Sequence, residues 1–139
     1  MDELNIYNAY KLIYENKERE IKYVDPDLDL EWGEAMRYPE LKALGRAEWK
    51  KIAKKGKAVL WSTISDGVGN VDTDLNNLDK NKRKRVKEAI AKGIVEYPIV
   101  GKFADGSMDL IAGNTRIAAL ENKGYDPKVW VVNVSYATS

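Results

Sequence analysis

Asp105-Gly106 stands between two apolar runs, Pro98-Ile99-Val100 and Met108 to Ala112. Asp-Gly between apolar runs is a strong short-range hairpin signal, because both residues tolerate the positive φ of a tight turn. The second run stops at Gly113, and Asn114-Thr115-Arg116 leads into Ile117-Ala118-Ala119-Leu120, a good helix start. Gly124 ends that helix, Asp126-Pro127 turns, and Val129-Trp130-Val131-Val132 reads as a buried strand. A hairpin, a helix and a further strand in this order predict neither an all-helical nor an all-β chain but a mixed sheet with helices.

Upstream elements agree with that reading. Ala58-Val59-Leu60-Trp61 is a short apolar run suited to a strand, and Ser65 to Asn70, with two glycines, reads as a loop. Asp79 is a candidate N-cap for a helix through Ile90, with Val86, Ala89 and Ile90 on one face and Gly93 as the stop. Residues 57–139 therefore form a mixed α/β (α+β) domain, and residues 1–56 a helical N-terminal extension packed against it. In the extension, Ile6, Tyr10 and Ile13 mark an amphipathic helix over 4–17. Pro39 interrupts a helical stretch from Glu34 to Leu44, and Gly45 separates it from a helix at about Arg46–Lys55. Trp32, Trp49, Trp61 and Trp130 are read first as packing residues.

Composition removes several classes of chemistry. The 139 residues include no Cys and no His, which excludes disulfides, Cys/His zinc sites and His-based nucleophile systems. Any acid–base work falls to Asp, Glu, Lys or Tyr. A hydrophobic fraction of 44% with 32% charged residues suits a folded domain rather than a disordered chain. No apolar run approaches the ~18 residues of a membrane span. Met1-Asp2-Glu3-Leu4 lacks the basic start of a signal peptide, so the expectation is a cytoplasmic protein without a membrane partner. The net charge of +1 does not by itself point to nucleic acid.

Two features could carry chemistry. A glycine followed by a helix start at Gly113-Asn114-Thr115-Arg116 offers unpaired amides, the positive end of a helix dipole and an arginine fork, all suited to phosphate. The same residues also read as an ordinary helix start with a surface arginine. Lys80, Lys82, Arg83, Lys84, Arg85 and Lys87 crowd the beginning of the other helix, where cations oppose the dipole. An anionic partner would relieve that repulsion; a solvated helix face is the plainer reading. Among nearby carboxylates, Glu96 precedes an apolar strand, and Asp72 and Asp74 lie in a polar stretch. Such groups can hold magnesium or act as a base in phosphoryl transfer, although loop aspartates are more often turn formers.

Three segments together, the helix from Leu78 to Ile90, Glu96-Tyr97-Pro98-Ile99-Val100, and Asp105 through Leu120, resemble the ParB/sulfiredoxin-like superfamily over residues 57–134. The resemblance implies a small mixed-sheet domain that binds ATP or another NTP at the Gly113 turn. Arg116 and Lys82 would lie on phosphate, with Gly113, Asn114 and Thr115 around it. Asn114 stands at the sulfiredoxin cysteine position, which excludes sulfinic-acid reduction, and Thr115 stands at the neighbouring histidine position. Ala112 before the glycine is as in partition proteins, whereas Asn114-Thr115 replaces their usual Glu-Arg.

The leading expectation is a nucleotide-binding protein with phosphoryl chemistry, as an NTPase or small-molecule kinase. Glu96 and Arg116 would be its catalytic residues, and Asp72 and Asp74 would hold Mg2+. The alternatives are a ParB-like DNA-binding or nuclease protein using the Lys80–Lys87 helix, and a non-catalytic interaction module. A homodimer is compatible with each.

Overall fold

The computed structural model describes residues 21–134. The expected helix over 4–17 lies outside the described residues. Strand β1 (Lys22–Val24) comes first, then helices α1 (Trp32–Ala35), α2 (Pro39–Leu44) and α3 (Arg46–Ala53). Strand β2 (Lys57–Leu60), the helical turn α4 (Trp61–Ile64) and strand β3 (Val68–Gly69) follow. Helix α5 (Lys80–Lys92) leads to β4 (Ile94–Glu96), β5 (Ile99–Lys102) and β6 (Met108–Ala112), and helix α6 (Asn114–Asn122) precedes β7 (Lys128–Asn133). The fold is of the mixed α+β kind.

Five strands form one sheet in the order β2-β7-β5-β6-β3. Central β5 runs antiparallel to β6 and parallel to β7. The hairpin between β5 and β6 closes as its sequence requires. Gly106 sits at φ +87°, its amide donates to the Phe103 carbonyl, and Asp105 Oδ1 accepts from the Ser107 amide at 2.9 Å.

Alternation along β5 decides what each face packs against. Ile99 points into a core with Ile111 and Val132, covered by Leu41, Trp49, Ile52 and Ala53 of α2 and α3. Val100 points the other way, with Leu110, Val129, Trp61 and Ile117 of α6. A third cluster joins Ile90 of α5 to Leu120 of α6 and Val95 of β4. Leu41, Trp49, Ile99 and Ile117 have no exposed surface. Side chains of this size contribute about 1.5–3 kcal/mol each when fully buried. The described part of the N-terminal segment is thus a wall of the core.

Several helix boundaries follow their punctuation. Pro39 opens α2 at its first turn, Gly45 (φ +87°) separates α2 from α3, and Gly93 (φ +75°) stops α5. Asp79 caps α5, its carboxylate accepting from the Lys82 amide.

Four details depart from expectation. Residues 1–56 were expected to be helical, yet Lys22–Val24 is a strand that pairs parallel with β4. The stretch from Ile94 to Phe103 divides at Tyr97-Pro98, because proline has no amide to continue the ladder. Trp61 begins a helical turn instead of ending β2, its amide bonding the Pro127 carbonyl at 2.7 Å. The Ser65–Asn70 loop contains a 3-10 turn at Ser65–Gly67 and the edge strand β3, paired parallel with β6.

Candidate functional site

Gly113 turns the chain from β6 into α6 at φ +96°. A Cβ there would lie 2.6 Å from the Pro98 Cβ, so only glycine fits both the dihedral and the space. Among the described residues no side chain caps α6, which leaves its first amides without a partner from a capping group. Thr115 is buried beneath this turn.

Asn114 acts as a clasp. Its Oδ1 accepts from the Asp72 amide at 2.8 Å, and its Nδ2 donates to the Asp72 carbonyl at 3.0 Å. The 70–79 segment is thereby fixed against α6. Asp72 Oδ1 accepts from the Asp74 amide and Asp74 Oδ1 from the Asn76 amide, each at 2.9 Å. Both carboxylates are turn-forming groups of the kind common in loops.

Arg116 is committed inward. Its Nη1 donates to the carbonyls of Glu96 (3.2 Å) and Tyr97 (3.0 Å), and its Nη2 pairs with Glu31 Oε1 at 3.1 Å. Burial pushes the Glu31 carboxyl above its ordinary range. Arg116 opposes that shift, while Glu96 and Glu34 add to it. Glu96 has its own task, its Oε1 accepting from the Asp27 amide at 2.6 Å.

These pieces surround a cleft of about 1050 Å³. Gly113, Asn114, Thr115 and Arg116 form one wall, the turn at Asp72 the rim, and Lys82 and Arg85 of α5 the wall opposite. Glu31, Glu96 and Asn70 also line it. Asp74 is not among the lining residues. Lys80, Lys84 and Lys87 are exposed and lie outside the cleft.

Seven of the eight residues singled out in the sequence therefore meet at one cleft, and two of them carry contacts that the sequence did not suggest. Arg116 is held by a carboxylate and two carbonyls, and Glu96 supports the 27–31 turn. Among the described residues no group of three or more acidic side chains converges as a metal site. Asp72 and Asp74 each give one carboxylate oxygen to a turn amide.

Glu31 and Asn70 are site residues that the sequence reading missed. Glu31 lies among the acids Asp25, Asp27, Asp29 and Glu34, and nothing in its spacing sets it apart from them. Asn70 did leave a trace: it is the single non-glycine residue with positive φ among those described (φ 63°), a conformation that asparagine tolerates well. Its Nδ2 donates to Tyr38 Oη and to the Leu110 carbonyl, joining the rim to β6.

Comparison of the chain with protein-family models, with curated proteins and with solved structures finds no match.

Proposed function

We propose that the protein binds the phosphates of a nucleotide in this cleft, in the service of NTP-dependent phosphoryl chemistry. The observation that carries the reading is that the uncapped start of α6 opens onto the same cleft as Lys82 and Arg85. Helix amides and a pair of cations across a cleft of this size are the ordinary means of holding a polyphosphate. The resemblance to the ParB/sulfiredoxin-like superfamily, whose members bind nucleotides at the corresponding turn, supports the same reading.

The roles differ from those expected of the residues one by one. Phosphate oxygens would rest on the amides of the α6 start and on Lys82 and Arg85, which form no ion pair with a carboxylate among the described residues. Arg116 would act chiefly by keeping the turn in place. In phosphoryl transfer, positioning and charge stabilisation supply most of the catalysis, and these groups can provide both.

Calorimetric titration with ATP and with CTP tests the proposal, using wild type and the Lys82→Ala/Arg85→Ala variant. Binding of either nucleotide that weakens at least tenfold in the variant is expected. Absence of binding to the folded wild-type chain overturns the reading.

A further inference from the structure

The second concentration of charge lies on the opposite layer of the molecule. Between residues 42 and 57 the chain has seven Lys or Arg and one acid, in a protein whose overall charge is +1. The structure sorts this run by face. Trp49, Ile52 and Ala53 of α3 are buried, whereas Arg46, Lys50, Lys51, Lys54 and Lys55 line a shallow groove of about 720 Å³ with Ala47. Arg46, Lys50 and Lys54 follow one another at four-residue steps, and Lys51 and Lys55 form a second row beside them. The step within α3 advances about 6 Å along the helix, and Lys54 and Lys55 stand in the turn that closes it.

Asp29 is the carboxylate that answers this array. It pairs with Arg46 at 2.8 Å and with Lys50 at 3.1 Å. Lys51, Lys54 and Lys55 are exposed and form none of the ion pairs seen among the described residues. Like charges at this density repel one another unless a polyanion shares the surface.

We propose that this cationic face of α3 docks the phosphate backbone of double-stranded DNA. Three arguments select that partner. Exposed lysine–carboxylate pairs yield only about 0–1 kcal/mol each, so an acidic peptide gains little here. A DNA duplex releases condensed counterions at each phosphate neutralised, and that gain does not need fixed side-chain geometry. Stable anchoring on an anionic membrane takes an apolar group beside the lysines, and among the described residues Ala47 is the sole apolar one lining the groove. Among the described residues the lining also has no aromatic ring on which unpaired bases could stack, which favours a duplex over a single strand. With Arg46 held by Asp29, the remaining charges are lysine point charges, which implies contact that is indifferent to sequence.

The test is fluorescence anisotropy with a labelled duplex of about 20 bp and arbitrary sequence, long enough to cover several phosphates on each strand. Wild type is compared with Lys51→Glu/Lys54→Glu/Lys55→Glu and with Lys80→Glu/Lys84→Glu/Lys87→Glu. The two variants change net charge equally, so their difference isolates the surface. Circular dichroism checks that both remain folded, and Lys51→Gln/Lys54→Gln/Lys55→Gln provides a milder version.

Wild-type affinity is expected to fall with salt at a log–log slope of about −3 to −4, corresponding to some four phosphates. The α3 triple reversal is expected to weaken binding at least tenfold more than the α5 reversal. Equal losses, a larger loss in the α5 variant, or no binding to duplex at low salt would overturn the proposal. So would preferential binding to a single strand, to polyglutamate or to phosphatidylserine vesicles.

Discussion

Arg116 of α6 reaches across to Glu31, ahead of α1, with its Nη2 3.1 Å from Glu31 Oε1. The two residues are 85 positions apart in sequence, and both side chains are largely buried, at 18% and 9% exposure. This pair and the two carbonyl bonds of Arg116 connect the N-terminal layer, the Tyr97-Pro98 break and the start of α6 at one point. Removing the arginine would leave a carboxylate without its cation in a buried place. Arg116→Ala is therefore expected to cost about 3–5 kcal/mol. Urea unfolding would measure it, and Arg116→Met with Glu31→Leu should recover much of the loss.

Glu31 also gives stability an unusual pH dependence. Its carboxyl titrates above the ordinary value of 4.5, with burial as the leading cause. In the window above 4.5 the folded chain holds this proton more tightly than the unfolded chain does. The contribution is fully present below that value and is lost as pH rises through the folded value. Relative to wild type, Glu31→Gln should therefore gain stability as pH rises through this window. Urea midpoints of both proteins at a series of pH values check the sign; a difference that moves the other way would refute it.

Two glycines with nearly the same backbone conformation separate strain from crowding. Gly113 (φ +96°) lies against Pro98, whereas Gly124 (φ +86°) has open space where a Cβ would go. Alanine at either position incurs the left-handed penalty of about 1–2 kcal/mol. Gly113→Ala should be the more destabilising of the two, because the Pro98 ring must also move. Thermal unfolding of the two variants gives the comparison directly.

The Asn114 clasp predicts a local effect. Asn114→Ala breaks two hydrogen bonds to the backbone of Asp72. A loss of about 1–3 kcal/mol is expected, since partly buried backbone groups lose their partners. Hydrogen exchange should quicken in the 70–79 segment and remain near wild type in β5. Asn114→Asp retains the acceptor and should fall between the two.

Local chemistry made much of this fold legible. Asp105-Gly106, Pro39, Gly45, Asp79 and Gly93 each act where they stand, through a dihedral, a missing amide or a cap, and their elements can be found from neighbouring residues. β1 and β3 depend instead on distant partners: three residues opposite β4 and two opposite β6 have no periodicity to reveal them. The site divides in the same way. Gly113 and the helix after it mark a strand-to-helix turn through their order alone. That Arg116 spends its guanidinium on Glu31, and Glu96 its carboxylate on the Asp27 amide, follows from contacts over 85 and 69 positions. No short motif encodes such contacts.

The Trp130 indole donates to the Ala53 carbonyl at 2.8 Å, and Gly56 leaves room for the ring where any side chain would collide with it. α3 is thereby pinned by its last turn to β7, the strand whose other face carries Val129 beneath α6. The lysine rows of α3 and the sheet from which α6 rises are therefore tied to each other through one strand.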